Sequence, residues 1–113
     1  MAFDFSVLEA GLKKKRELKE KERQDLLKHF IDVLANLREK YNLSEAFVFG
    51  SIVKPGRFIG NSDLDVAVKG LRNDRYFEFV TEISDKMSRE VDVVELEKCR
   101  FAEKIRKEGI KVG

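Results

Sequence analysis

The sequence predicts an α/β domain: a small mixed sheet flanked by helices and led by a long N-terminal helix. Three observations carry this. From Leu12 to Tyr41 the chain has neither glycine nor proline and is dominated by Lys, Arg, Glu, Leu and Ala, all good helix formers. Three short apolar runs, Ala46–Phe49, Val66–Val68 and Val91–Leu96, have strand length and are rich in β-branched residues. Between the second and third of them, apolar residues recur at helical spacing.

In chain order, the second half of the long helix carries a stripe at spacings of three and four: Leu26-Leu27, Phe30, Val33-Leu34, Leu37 and Tyr41. This half should pack on the sheet. The first half holds only Leu8, Leu12 and Leu18 among Lys13–Arg16 and Glu17–Glu22, too few to bury a broad face. It is expected either as a solvated helix held by charge pairs or as a surface that docks on a second chain. Asn42 is a candidate helix stop, and Leu43-Ser44-Glu45 leads into the first strand. Gly70 closes the second strand, and Asn73-Asp74 offers an N-cap to a helix running to about Arg89. Tyr76, Val80, Ile83 and Met87 form that helix's stripe, with Phe77 and Phe79 expected in the core beside them. A third strand follows at Val91, then a short helix marked by Phe101, Ala102 and Ile105 and stopped by Gly109. The tail Ile110–Val112 is expected either as a short edge strand or as a frayed end.

At 113 residues the chain reads as one domain, 1–113, with a charged helical extension over 1–22 and a core over 23–113. Lys and Arg number 23 against 21 acidic residues, a balance that argues neither for nor against nucleic acid as a partner. The single cysteine, Cys99, excludes an internal disulfide and fits a reducing compartment. No apolar run approaches membrane-span length, and the first residues lack a secretion-signal pattern, so a cytoplasmic protein is expected.

The chemistry concentrates around a long loop. Gly50-Ser51 follows the first strand, where glycine lets backbone approach a phosphate closely and serine adds a hydroxyl donor. A short helical turn through Ile52–Lys54 is expected there, stopped by Pro55-Gly56. Asp63 and Asp65 sit at i and i+2 and should share one strand face. Asp92 is a third acid inside the apolar third strand, costly there unless paired or metal-bound. If the strands form one sheet, the three carboxylates can meet on one face, a donor set suited to two hard divalent cations. Two Mg²⁺ ions with a nucleoside triphosphate are what in-line nucleotidyl transfer requires.

Gly50-Ser51, the loop, Ser62-Asp63-Leu64-Asp65 and Asp92 together resemble the DNA polymerase beta-type nucleotidyltransferase superfamily. Within it they are most similar to the minimal nucleotidyltransferases (MNT) of HEPN–MNT toxin–antitoxin pairs. The likeness spans roughly residues 24–110 and implies the nucleotidyltransferase fold. It further implies that Gly50 and Ser51 grip the triphosphate, with Lys54 and Ser62 beside them, and that Asp63 and Asp65 ligate both metals. Asp92 would complete a metal site and deprotonate the acceptor hydroxyl. The implied activity is Mg²⁺-dependent transfer of AMP from ATP to an acceptor hydroxyl, the partner being a HEPN toxin modified on tyrosine. The Ser51–Asp63 spacer of eleven residues is one longer than the family's usual length, and Pro55 falls where a short helix normally continues.

Three alternatives remain open: an antitoxin that acts by contact alone, transfer to a small molecule or an RNA end, and a homo-oligomeric assembly. Arg23 and His29 reproduce the Arg-x5-His spacing of HEPN ribonucleases, but those are all-helical and the strands exclude that fold. His29 then reads as a flank residue, Cys99 as a small core or surface thiol, and Phe58 as a loop ring able to stack on a base.

Overall fold

A computed structural model describes residues 5–56 and 63–113, with side chains described at 17, 19–56 and 63–113. Helix α1, Phe5–Lys40, starts earlier than the composition suggests and runs for 36 residues. At 1.5 Å per residue it is about 54 Å long, which is why the molecule extends 68 Å but is only 28 and 20 Å across. Phe30, Leu34, Leu37 and Tyr41 are buried as the stripe requires. Glu17, Lys19, Lys21 and Glu22 are exposed. The helix ends as expected at Asn42, which takes a left-handed φ of 55°. There Leu43 N–H donates to the Arg38 carbonyl (2.9 Å) and Asn42 N–H to that of Glu39 (3.2 Å), satisfying two end carbonyls.

Strands β1 (Glu45–Phe49), β2 (Leu64–Lys69), β3 (Val91–Glu95) and β4 (Ile110–Lys111) form one mixed sheet in the order β3-β2-β1-β4. β1 is antiparallel to β2 and β4, whereas β2 and β3 are parallel and joined through helix α2, Tyr76–Met87. The tail therefore forms an edge strand. Strand alternation divides the core. Ala46, Val48, Leu64, Val66, Val68 and Val91 face α1 and α2. Phe47 and Ala67 face the other way, packed with Leu96 and with Ile105 of helix α3, Ala102–Glu108.

Three local expectations are corrected. Phe77 is 81% exposed while Phe79 and Ile83 are fully buried. At 100° per residue a side chain two positions before a core residue points away from the core. Asn73-Asp74 does not cap α2: a short 3-10 turn, Asn73–Arg75, intervenes, Arg75 holds the cap position without a side-chain bond, and Asp74 pairs with Arg72 at 2.7 Å. Asp63 lies one residue before β2, not within it. The β2–β3 ladder opens at Leu64↔Val91, and β1 ends opposite Asp65, so Asp63 has no strand beside it.

Candidate active site

The end of β1 turns at Gly50, whose φ of 85° and ψ of −156° lie in a region open essentially to glycine. A second reason for glycine is space. A Cβ here would run into Oδ2 of Asp65 and lie 3.2 Å from its Cγ. The chain then makes the expected turn as a 3-10 helix over Ser51–Val53. Val53 N–H bonds to the Gly50 carbonyl (3.2 Å) and Lys54 N–H to that of Ser51 (3.1 Å). Ile52 is buried in the main core, Ser51 is half-buried, and Lys54 is exposed.

The register places the acids. Asp65 stands opposite Phe49 on β1 and beside Asp92 on β3. By alternation Asp65 shares the face of Ala67, and Asp92 that of Val94, beyond the region that α3 covers. Asp65 is half-buried and is pushed up to about 6, first by burial, then by the charges of Asp92 and Asp63. All three causes act in the same direction. Asp63 and Asp92 are exposed.

Thus the fold gathers Gly50, Ser51, Asp63, Asp65 and Asp92 at one end of one sheet face, with Lys54 at its margin. Ser62 and Phe58 lie outside the described residues. The chemistry of the donor set fits a hard divalent cation: burial and the charges of its two neighbours raise the inner acid, a cost that bound positive charge would offset. The three do not converge into a preassembled cation cluster, and no group of three His, Cys, Asp or Glu among the described residues does. Against the turn lies a cleft of about 390 Å³, walled by Phe49, Val94, Cys99 and Ile105, with Lys54 and Lys104 on its border and Gly50 common to both. A roomier hollow of about 510 Å³ on the outer side of α2, beside Phe77 and Asp85, contains none of the candidate residues.

One contact at the turn belongs to no motif. Arg23, the charged side chain buried among the described residues, donates from Nη1 to the Ile52 carbonyl at 2.7 Å. A signal for it exists: counting back from Tyr41, Leu37, Leu34, Phe30 and Leu27 by threes and fours arrives at Arg23, a charge on the core stripe. His29, by contrast, is an exposed flank residue, 3.4 Å from the Lys86 carbonyl.

The family model for polymerase beta, nucleotidyltransferase, matches residues 31–112. No curated protein matches in sequence. Among solved structures the chain is similar to a toxin–antitoxin structure with AMP-PNP, at 23% identity and TM-score 0.61, covering 72% of this chain and 70% of that one. A structure described as a minimal nucleotidyltransferase gives 21% identity and TM-score 0.58, covering 84% and 93%. The toxin–antitoxin MntA–HepT gives 20% and 0.54, covering 73% and 68%. At these identities the likeness is one of fold, and the fold is that of the nucleotidyltransferases.

Proposed function

From the premise that the chain belongs to the polymerase beta nucleotidyltransferase family, we propose that it transfers AMP from ATP to a hydroxyl on another molecule. The observation that carries this is the juxtaposition of Asp65 with Asp92 across the strand register and with Gly50 just past the end of β1. Gly50 and Ser51 receive the triphosphate, the first by close backbone approach and the second through its hydroxyl, with Lys54 and Ser62 beside them. Asp63, Asp65 and Asp92 would hold Mg²⁺, two ions in the full complex. When bound, these ions neutralise the phosphates and steady the departing pyrophosphate.

The residues of the chain do the rest. Asp92 takes the proton of the acceptor hydroxyl; the freed oxygen attacks the α-phosphorus; the bond from the α-phosphorus to the α,β-bridging oxygen breaks; and pyrophosphate leaves. Proton and leaving group then balance. Asp65, half-buried and pressed by its neighbours, is the acid with most to gain from a cation.

We further infer that the acceptor belongs to a HEPN-type, all-helical toxin protein and that this chain is its MNT antitoxin. Support comes from the fold shared with structures described as toxin–antitoxin complexes, one of them with AMP-PNP. The test incubates the chain with α-labelled ATP, Mg²⁺ and the neighbouring gene's product. Label on the partner, lost in Asp63→Ala, is expected. A second reading, inhibition by contact, is favoured by the lack of a preassembled cation cluster among the described residues. It requires tight binding, no label and indifference to Asp63→Ala.

A further inference from the structure

A buried cation among hydrophobic side chains needs a specific partner, and Arg23 has one on each side. Its Nη1 donates to the Ile52 carbonyl at 2.7 Å, in the middle of the turn that follows Gly50-Ser51. Its Nε donates to Oε2 of Glu20 at 3.1 Å, one helical turn back along α1. The Glu20 carboxyl lies below its usual range, held there first by Arg23 and least by the backbone N–H of Gly56, where the loop leaves the turn. The ion pair on α1 therefore grips the loop at the Ile52 carbonyl. The turn's own bonds, Val53 to Gly50 and Lys54 to Ser51, do not tie it to any other element. The side chain of Ile52 is inserted in the core, but its packing fixes neither the direction of the peptide planes nor the exit of the chain at Pro55-Gly56.

We propose that Glu20 and Arg23 are positioning residues that clamp the loop against α1 and so hold Gly50 and Ser51 in the geometry that receives a nucleoside triphosphate. The inference rests on the nucleotide reading above and adds a role for the N-terminal part of α1. A planar guanidinium suits the task, since its fork serves a carbonyl on one edge and a carboxylate on the other. Because neither residue touches the carboxylates, the clamp should act on triphosphate capture and leave the chemical step alone.

The experiment uses the full chain in four forms: wild type, Arg23→Met, Arg23→Lys and Glu20→Gln. Amide hydrogen exchange is read at Val53, Lys54 and Gly56, and KM for Mg²⁺-ATP and kcat are read in the transfer assay. Arg23→Met is expected to accelerate exchange at the three loop amides, not in β1 and β2. It should raise KM about tenfold with kcat held within about twofold, since small misplacement of a gripping group is costly. Arg23→Lys, which keeps a cationic donor at this position, should recover part of the loss, and Glu20→Gln should accelerate the loop amides less than Arg23→Met does. Unchanged loop exchange overturns the clamp. Faster exchange with unchanged KM, or a fall confined to kcat, overturns its positioning role. A wild type that does not use ATP overturns the nucleotide reading and the positioning role with it, and the exchange arm then reports on the loop contact separately.

Discussion

Asp65→Asn isolates the electrostatic cost of building the site. The Asp65 carboxyl moves from its usual 3.8 to about 6 in the fold. A folded value above the unfolded one means that the fold prefers the protonated acid. This contribution is fully present below about pH 4 and is lost as pH rises through about 6. Two units correspond to at most about 3 kcal/mol, and solvent screening of a half-buried group reduces this to about 1.5 kcal/mol. Asparagine keeps the shape and removes the charge. The stability difference between Asp65→Asn and wild type should therefore grow in favour of the variant by about 1.5 kcal/mol between pH 4 and pH 7. Urea unfolding of both proteins across that range measures it, and titrations of groups remote from Asp65 cancel in the difference. Adding millimolar Mg²⁺ at pH 7 should raise wild-type stability and leave the variant nearly unmoved, since a ligand stabilises only the form that binds it. A pH-independent difference, or a variant that loses ground as pH rises, refutes the reasoning.

Gly50→Ala should cost about 2–4 kcal/mol in chemical denaturation, because the backbone region suits only glycine and the new methyl meets Asp65. Adding Asp65→Ala should recover the steric part and not the backbone part. Tyr41→Phe should cost about 1 kcal/mol in thermal or urea unfolding, since the hydroxyl donates to Glu82 at 2.8 Å from within the core. The Glu82 carboxyl, held down to about 2 first by Lys40 and also by Tyr41 and Lys86, contributes stability above its unfolded value of 4.5. That contribution should disappear as pH falls from 4.5 towards 2, a slope that Glu82→Gln removes. Asp92→Asn should leave the unfolding free energy within about 0.5 kcal/mol, as the residue is exposed; its transfer rate should fall by at least about a hundredfold in a single-turnover assay.

Much of the fold was legible because periodicity and composition agreed in the same segments. The Leu26–Tyr41 stripe and the β-branched Val91–Val94 run each admit one periodicity, and both elements form where they were expected. The row of acids was legible in part. Alternation put Asp65 and Asp92 on faces that could meet, but only the parallel β2–β3 register set them side by side. Asp63 falls outside β2: the sequence shows where an apolar run begins and not where the neighbouring strand ends. The hydrophobicity of Phe77 argues for the core, but its angle around the helix turns it to solvent. The grip of Arg23 on Ile52 joins positions 29 apart in sequence, and no local pattern specifies such a carbonyl partner. The cleft beside Gly50 is likewise a product of α3 folding back over the sheet.

The central claim is that the chain moves a nucleotidyl group, so the most direct measurement follows the two ends of ATP separately. With Mg²⁺ and the acceptor protein present, the account predicts that α-labelled ATP leaves its label on the acceptor. It also predicts that γ-labelled ATP leaves none and that one pyrophosphate is released per label bound, all abolished in Asp65→Asn. Label from the γ position, or acceptor inhibition with neither label nor pyrophosphate and no sensitivity to Asp65→Asn, contradicts it.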